Sequence, residues 1–175
     1  MGYYTRVFCS STQKPKINQI LDYLNTKGHN ISINLNELPD NWNEFELFYD
    51  SERLPLIVEL NEKESDHLAE QEIEEFCKAI GKPSFFELNK KKVFSHLNKT
   101  EYIICIQLPT SDILDKGYDV NGDFMNYLET NFYGMIQCDN EGFYLKTKPL
   151  CTESAEVGFY EGLKVPLFLS FENEI

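Results

Sequence analysis

Residues 102–108 read Tyr-Ile-Ile-Cys-Ile-Gln-Leu, which is an almost unbroken apolar run. A strand with one face in solvent alternates polar and apolar residues, whereas a strand that is covered on both faces is apolar along its length. We therefore expect this run to form the central strand of a sheet. The other predicted strands are apolar on one face only, which is typical of strands nearer the edges.

Further elements on both sides of this run follow from apolar periodicity and from turn residues. In chain order the sequence predicts a strand at 3–9, a helix at 15–27, a hairpin at 45–49 and 54–60, a helix at 65–80, a short helix around 93–97, the central strand, a helix from about 121 to 133, a hairpin at 135–138 and 143–148, and a last strand at 165–171. The turn of the first hairpin is predicted at residues 50–53.

This order predicts an α+β fold with a mostly antiparallel sheet, and with the helices at 15–27 and 65–80 packed on one face. The first six elements follow the β-α-β-β-α-β order of a ferredoxin-like unit, provided that residues 31–35 lie outside the sheet. A helix, a hairpin and a C-terminal strand then extend that unit. An antiparallel α+β sheet of another topology stays open. With 175 residues, the chain is most simply a single domain spanning 1–175.

The negative charge is concentrated in one part of the chain. Residues 37–75 hold 14 acidic and two basic residues, so this acidic stretch nets −12 of the −13 carried by the whole chain. Its apolar residues recur at strand and helix periods, which indicates a folded segment rather than an acidic tail. Residues 78–99 hold six lysines and one glutamate. If those lysines packed across the acidic stretch, they would neutralise it.

Composition also bears on the partners and the compartment. The acidic balance argues against nucleic-acid binding, because such binding relies on Lys and Arg at the phosphates. The five cysteines are odd in number and widely spaced, which predicts reduced thiols. The N-terminus has no apolar core of a signal peptide, and no apolar run approaches the length of a membrane span. We therefore expect a cytoplasmic protein with no membrane partner.

Motifs that could carry chemistry are weak. Cys151 is the cysteine least embedded in apolar sequence, but no spacing connects a cysteine to a histidine. Residues 119–123 have the opening spacing of a calcium loop but lack its later ligands, and Asp119 and Asn121 also suit a helix start. The glycines form no phosphate-binding motif. The sequence therefore predicts no catalytic residue, no metal and no cofactor, and it favours a binding protein over an enzyme.

The acidic surface itself is the remaining candidate. We predict a protein-binding module that docks a basic partner, in the manner of acidic immunity proteins or inhibitors that cover the phosphate-binding sites of nucleases. The predicted contact residues are two aromatic anchors and four acids, namely Trp42, Glu44, Glu46, Tyr49, Glu70 and Glu74. Two alternatives stay open. The charge can serve solubility alone, or the chain can be a globular domain with a small-ligand or hydrolytic site that its sequence does not reveal.

Overall fold

The computed structural model describes residues 2–35, 37–63 and 67–144. Within these ranges the elements in chain order are β1 (Tyr3–Cys9), α1 (Ile17–Thr26), β2 (Ser32–Ile33), β3 (Glu44–Phe48), β4 (Leu56–Glu62), α2 (Leu68–Ile80), α3 (Leu88–Leu97), β5 (Tyr102–Leu108), α4 (Asp115–Asn131), β6 (Gly134–Cys138) and β7 (Gly142–Tyr144). None of these described helices has the length and apolarity needed to cross a lipid bilayer. The predicted strand at 165–171 lies outside the described residues.

The strands form an antiparallel sheet in the order β2-β3-β4-β5-β1-β6-β7. β5 is the middle strand, and it pairs with β4 on one side and with β1 on the other. Ile104 lies opposite Leu60 and Val7 and is fully buried. The α+β class, the antiparallel sheet and the central position of residues 102–108 are therefore confirmed.

Both predicted hairpins are present. In the β3–β4 hairpin Phe45 lies opposite Val58, and in the β6–β7 hairpin Cys138 lies opposite Gly142. Phe45 and Leu47 are buried. Since successive strand residues point to opposite faces, Glu44 and Glu46 of β3 point to the other face of the sheet.

The ferredoxin-like strand order is not confirmed. The prediction leaves residues 31–35 outside the sheet, whereas Ser32 and Ile33 pair with Phe48 and Leu47 as the edge strand β2. In addition, β5 lies between β1 and β4. In a simple ferredoxin-like unit the corresponding two strands are direct neighbours. β5 is apolar on both faces, and the position between β4 and β1 also encloses both of its edges.

Helices cover both faces of the sheet, so the prediction that the helices at 15–27 and 65–80 share one face is wrong. α1 and α4 pack on the face that carries Val7 and Ile104, which we call the α1/α4 face. α2 and α3 pack on the face that carries Phe8 and Ile103, which we call the α2/α3 face. The reason lies in β5 itself, because a strand that is apolar on both faces requires apolar cover on both.

α4 begins earlier than predicted, at Asp115 rather than near Asn121. Gly117 and Gly122 weaken the helical signal of this region, since glycine has low helix propensity. Burial of one side of α4 against the sheet stabilises the helix in spite of them. Residues 119–123 are therefore helical, and they do not form the loop that a calcium site of the predicted kind requires.

α2 and α3 cover only part of their face of the sheet. Beyond them, Tyr4, Gln107, Ile57 and Glu46 form a row across β1, β5, β4 and β3, and each of these side chains is only half-buried. We call this uncovered part of the α2/α3 face the open sheet surface. It includes the outward side of the acidic β3–β4 hairpin, so the fold presents part of the acidic stretch on a flat, accessible platform.

Candidate functional site

A second row of side chains extends the open sheet surface at its β3 and β4 end, where Glu44 is exposed and Glu59 is half-buried, whereas Cys105 in the same row is buried. Arg6 of β1, Cys105 of β5, Glu59 of β4 and Glu44 of β3 lie opposite one another in register. Cross-strand neighbours on one face lie about 5 Å apart at Cβ, so their charges interact directly. The row therefore carries a cation at its β1 end and two adjacent carboxylates at its β3 end.

Glu59 lies among like charges. Its register partner is Glu44, and Glu72 of α2 also acts on it. Partial burial raises the pKa of Glu59 above its ordinary value, and the repulsion of Glu44 and Glu72 adds to this shift. Among the residues that the structure describes, no cation forms an ion pair with Glu44 or Glu59. This pair is therefore a local source of unfavourable charge repulsion.

Arg6 compensates a different part of the charge. Its guanidinium is 16% exposed and pairs with Glu72 and, at 2.6 Å, with Asp139, while it also donates a hydrogen bond to Gln137 at 3.0 Å. Burial alone would lower the pKa of Arg6, but the attraction of Glu72 and Asp139 outweighs burial and the pKa lies above its ordinary value. Because Arg6 is occupied in this way, no cation of the described ranges compensates the charge of Glu44 and Glu59.

The four predicted acidic contact residues fall into two groups. Glu44 and Glu46 lie on the open sheet surface, as their positions on β3 require. Glu70 and Glu74 lie one turn apart on the solvent side of α2, and the α2 residue that approaches the sheet is Glu72. The structure therefore brings the first pair together with Glu72 and leaves Glu70 and Glu74 apart from that surface.

The two predicted aromatic anchors, Trp42 and Tyr49, are buried, so their exposure gives no support to a role as contact residues. Trp42 is 5% exposed, and its Nε1 donates a hydrogen bond to the carbonyl oxygen of Pro15 at 2.9 Å. Tyr49 is 1% exposed, and its hydroxyl accepts a hydrogen bond from the amide of Leu114 at 3.1 Å. Both rings belong to the core on the α1/α4 face. Large aromatic side chains gain most from full burial when their polar group finds a partner there.

Sequence reasoning missed Glu59, Glu72 and Arg6. For Glu59 a signal was present, because a turn centred on residues 50–53 already places Glu44 opposite Glu59. For Glu72 the signal is its position on α2. It follows the buried Ala69 by three residues, and residues three apart lie on the same side of a helix. Arg6 had no such signal, because its position beside β5 depends on the strand order of the whole sheet.

Two of the six lysines of residues 78–99 make contacts within their own segment. Lys90 pairs with Glu87 at 2.7 Å, and Lys91 donates a hydrogen bond to the carbonyl oxygen of Phe85 at 3.0 Å. Three cations from the N-terminal part of the chain, Arg6, Lys14 and Lys16, pair with carboxylates of the acidic stretch. These contacts do not support neutralisation of the open sheet surface by the lysines.

A half-open cleft of about 390 Å³ lies on the α1/α4 face, where β1, β5 and β6 meet α4. At its floor, the hydroxyl of Thr5 donates a hydrogen bond to Oδ1 of Asn121 at 3.0 Å. At its rim, the hydroxyl of Tyr3 donates to Glu141 at 2.7 Å. Burial raises the pKa of Cys138 to about 11, and burial together with the Glu141 hydrogen bond raises the pKa of Tyr3.

These shifts do not produce a nucleophile in the cleft. A cysteine attacks as the thiolate, and the raised pKa keeps Cys138 protonated near neutral pH. The described lining of the cleft includes no histidine. His29 instead contacts Asp123 at 2.7 Å, and His96 donates to a backbone carbonyl at 2.8 Å. Cys151 lies outside the described residues. Within the described ranges, no three His, Cys, Asp or Glu side chains are placed to hold a metal ion.

Comparison with other proteins assigns no family to this chain. No family model, no curated protein and no solved structure matches it. The open sheet surface and the cleft are therefore the features of the molecule that bear on its function.

Proposed function

We propose that this protein is a non-catalytic binding module that docks a basic protein partner on the open sheet surface. The contact residues are Glu44, Glu46, Glu59 and Glu72. The observation that carries the proposal is the pair of Glu44 and Glu59, which lie opposite each other on an accessible face and have no ion-pair partner in the part of the chain that the structure describes. A Lys or Arg side chain of a partner, placed between the two carboxylates, would replace their repulsion by charge-assisted hydrogen bonds.

The shape of this surface favours a protein partner over a free ion. Phe48 and Ile57 are half-buried beside the carboxylates, so they offer apolar contact area in the position that Trp42 and Tyr49 do not fill. Proteins that bind nucleic acid carry clustered cations for phosphates. A sheet that presents carboxylates in a row suits such a cluster, and arginine binds carboxylates in a two-pronged geometry. We therefore infer an inhibitor of the immunity type, which covers the phosphate-binding site of its partner.

Charge reversal on the open sheet surface tests the proposal. The variant E44K/E46K reverses two carboxylates on β3, and the matched control D22K/D119K reverses two exposed carboxylates on α1 and α4, beyond the opposite face. Both variants change the net charge equally. Each protein is immobilised and exposed to an extract of its own cell at about 0.05 M and about 0.5 M salt, because screening weakens electrostatic contacts.

We expect the wild type and D22K/D119K to capture the same basic protein at low salt, and to lose it at high salt. We expect E44K/E46K to capture little of it, and association kinetics with the purified partner should slow at least about tenfold. Equal capture by both variants would show that net charge alone governs binding. Absence of any basic partner at low salt would leave the surface with a role in solubility only.

The cleft supports a second candidate function, the binding of a small neutral ligand. Asn121 is 4% exposed, and its Oδ1 accepts the Thr5 hydrogen bond, while its Nδ2 has no partner among the described residues and is not enclosed. This amide therefore offers donors to a ligand carbonyl oxygen. Titration with acetamide and 2-pyridone should shift the Asn121 side-chain amide resonances in NMR spectra. Unchanged resonances at saturating ligand would reject this candidate.

A further inference from the structure

The loop between α2 and α3 displays large apolar side chains to solvent. Phe85 is 79% exposed, Phe86 is 87% exposed, and Leu88 at the start of α3 is 65% exposed. The two rings stand edge to face with their centroids 5.4 Å apart, and they do not fold onto the core. Isolated exposed apolar residues are ordinary, but contiguous ones of this size mark contact surfaces.

Lysines flank these apolar side chains in sequence, and Glu87, which pairs with Lys90, lies among them. We define the basic tip as the three apolar side chains together with the four nearest lysines in sequence, namely Phe85, Phe86, Leu88, Lys82, Lys90, Lys91 and Lys92. The ammonium of Lys91 lies 4.8 Å from the centroid of the Phe85 ring. The wider segment 78–99 nets +5, in a chain that nets −13. The tip is thus opposite in charge to the rest of the protein.

Hydrogen bonds within the loop hold this display in place. The amide of Ser84 donates to Oε2 of Glu87 at 2.8 Å, and the amide of Leu88 donates to the carbonyl oxygen of Phe86 at 3.0 Å. The hydrogen bond from Lys90 and the Ser84 amide lower the pKa of Glu87 to about 2, so its carboxylate stays ionised as an acceptor. The two phenylalanines are therefore presented by an ordered turn.

We propose that the basic tip docks on the surface of an anionic lipid bilayer. Phe85, Phe86 and Leu88 enter the interfacial region, and the lysines contact the anionic headgroups. Lasting attachment at a bilayer surface requires two signals together, and an apolar insertion combined with a cluster of cations satisfies this requirement. A protruding tip enters a fluid interface directly, whereas a protein partner would have to supply a hollow of matching shape. The observations therefore favour the bilayer.

The net negative charge of the protein does not prevent this contact. Interactions between exposed charges are screened over about 8 Å at physiological salt. The acid of α2 nearest the tip is Glu75, which lies about 7.5 Å along α2 from Ile80 at a rise of about 1.5 Å per residue, and the tip lies beyond Ile80. The bilayer thus meets the positive charge of the tip. The prediction of no membrane partner rests on the lack of a spanning segment, which does not bear on interfacial contact.

Sedimentation with vesicles tests the proposal. The full chain is mixed with vesicles of phosphatidylcholine alone, or of phosphatidylcholine with phosphatidylserine. Three variants accompany the wild type: F85S/F86S removes the apolar insertion, K91Q/K92Q removes two cations, and L38S/L54S is the control, since it replaces two exposed leucines elsewhere. These side chains are exposed or half-exposed, so thermal melts should agree among the proteins.

We expect the wild type and L38S/L54S to sediment with the phosphatidylserine vesicles, and F85S/F86S and K91Q/K92Q to bind at least about tenfold more weakly. Phosphatidylcholine vesicles should bind the wild type at least about tenfold more weakly. No sedimentation with anionic vesicles at low salt would overturn the proposal. So would equal binding by F85S/F86S, or a tip-dependent self-association without vesicle binding. E44K/E46K should retain vesicle binding, so failure of the proposed partner docking is separately visible.

Discussion

Two glycines of α4 allow the packing of Tyr49 to be tested with one type of substitution. A Cβ at Gly117 would lie 2.8 and 2.9 Å from two ring carbons of Tyr49, and 2.7 Å from a side-chain carbon of Ile113. A Cβ at Gly122 would meet nothing within 4 Å. The variants G117A and G122A thus share the substitution and the helix, and they differ in the space available.

The expected effects have opposite signs. Alanine replaces glycine in a helix interior with a gain of about 0.5–1 kcal/mol, so G122A should raise the free energy of unfolding by that amount. In G117A, overpacking costs about 1–3 kcal/mol and exceeds this gain. The ring of Tyr49 yields little, since it is fully buried and its hydroxyl is bonded to Leu114. We expect a separation of about 2 kcal/mol, or about 4–8 °C in melting temperature.

Urea denaturation followed by circular dichroism measures both free energies, and equal denaturant slopes validate the comparison. If G117A proved as stable as G122A, the ring of Tyr49 would not lie under α4. The tyrosine would then be available to a partner, and the prediction of Tyr49 as an interface anchor would regain its basis. A destabilised G117A excludes that role.

Three further predictions concern single groups. The variant E59Q should be more stable than the wild type by about 0.5 kcal/mol at pH 7. Because the folded-state pKa of Glu59 is raised, this gain should shrink as the pH falls toward 4.5, the ordinary pKa of a glutamate. A gain that does not depend on pH would contradict charge repulsion at Glu59. Denatured, unreduced protein should titrate five thiols, whereas in the native state Cys77 should react before the buried Cys9, Cys105 and Cys138; a count of three or one would reveal disulfides. W42F should lose about 2 kcal/mol of unfolding free energy, because the bond to Pro15 disappears, and unchanged stability would argue that the ring is exposed.

Local patterns accounted for much of the fold. Alternation on β3 and β4 predicted the hairpin and the burial of Phe45 and Leu47, and the unbroken run at 102–108 predicted the central strand. Because the same run is apolar on both faces, it also indicated that helices cover both faces of the sheet. The expectation of helices on one face was inconsistent with that pattern. The edge strand at Ser32–Ile33 is two residues long, which is too short for a periodic signal.

The open sheet surface was harder to predict, because its composition depends on strand order. Glu44 and Glu46 were identified from local alternation, and the position of the turn at residues 50–53 sets the register that pairs Glu44 with Glu59. Arg6 lies in the row of Glu59 because β5 pairs with β1 on one side and with β4 on the other, and local sequence does not reveal this pairing. Trp42 was assigned to an interface from its residue type alone, and residue type does not distinguish a hot spot from a core position.

The separation of charge in this chain has a consequence for stability in salt. The acidic stretch and the lysine segment are consecutive in sequence, so mutual neutralisation would be the simplest arrangement. In the structure, Lys90 and Lys91 make contacts within their own segment, while Glu44 and Glu59 face each other. Added salt therefore screens more repulsion than attraction.

We accordingly expect the free energy of unfolding to rise between about 0.01 M and about 0.15 M sodium chloride. This rise in stability with salt should be smaller in E44K/E46K than in D22K/D119K. Both variants make the net charge less negative by the same amount, but only E44K/E46K also relieves the repulsion on the open sheet surface. A fall in stability with salt would mean that attraction dominates, with the lysines of 78–99 covering the acidic stretch. In that case neither the open sheet surface nor the basic tip would be free to bind a partner, and both proposals would fail together.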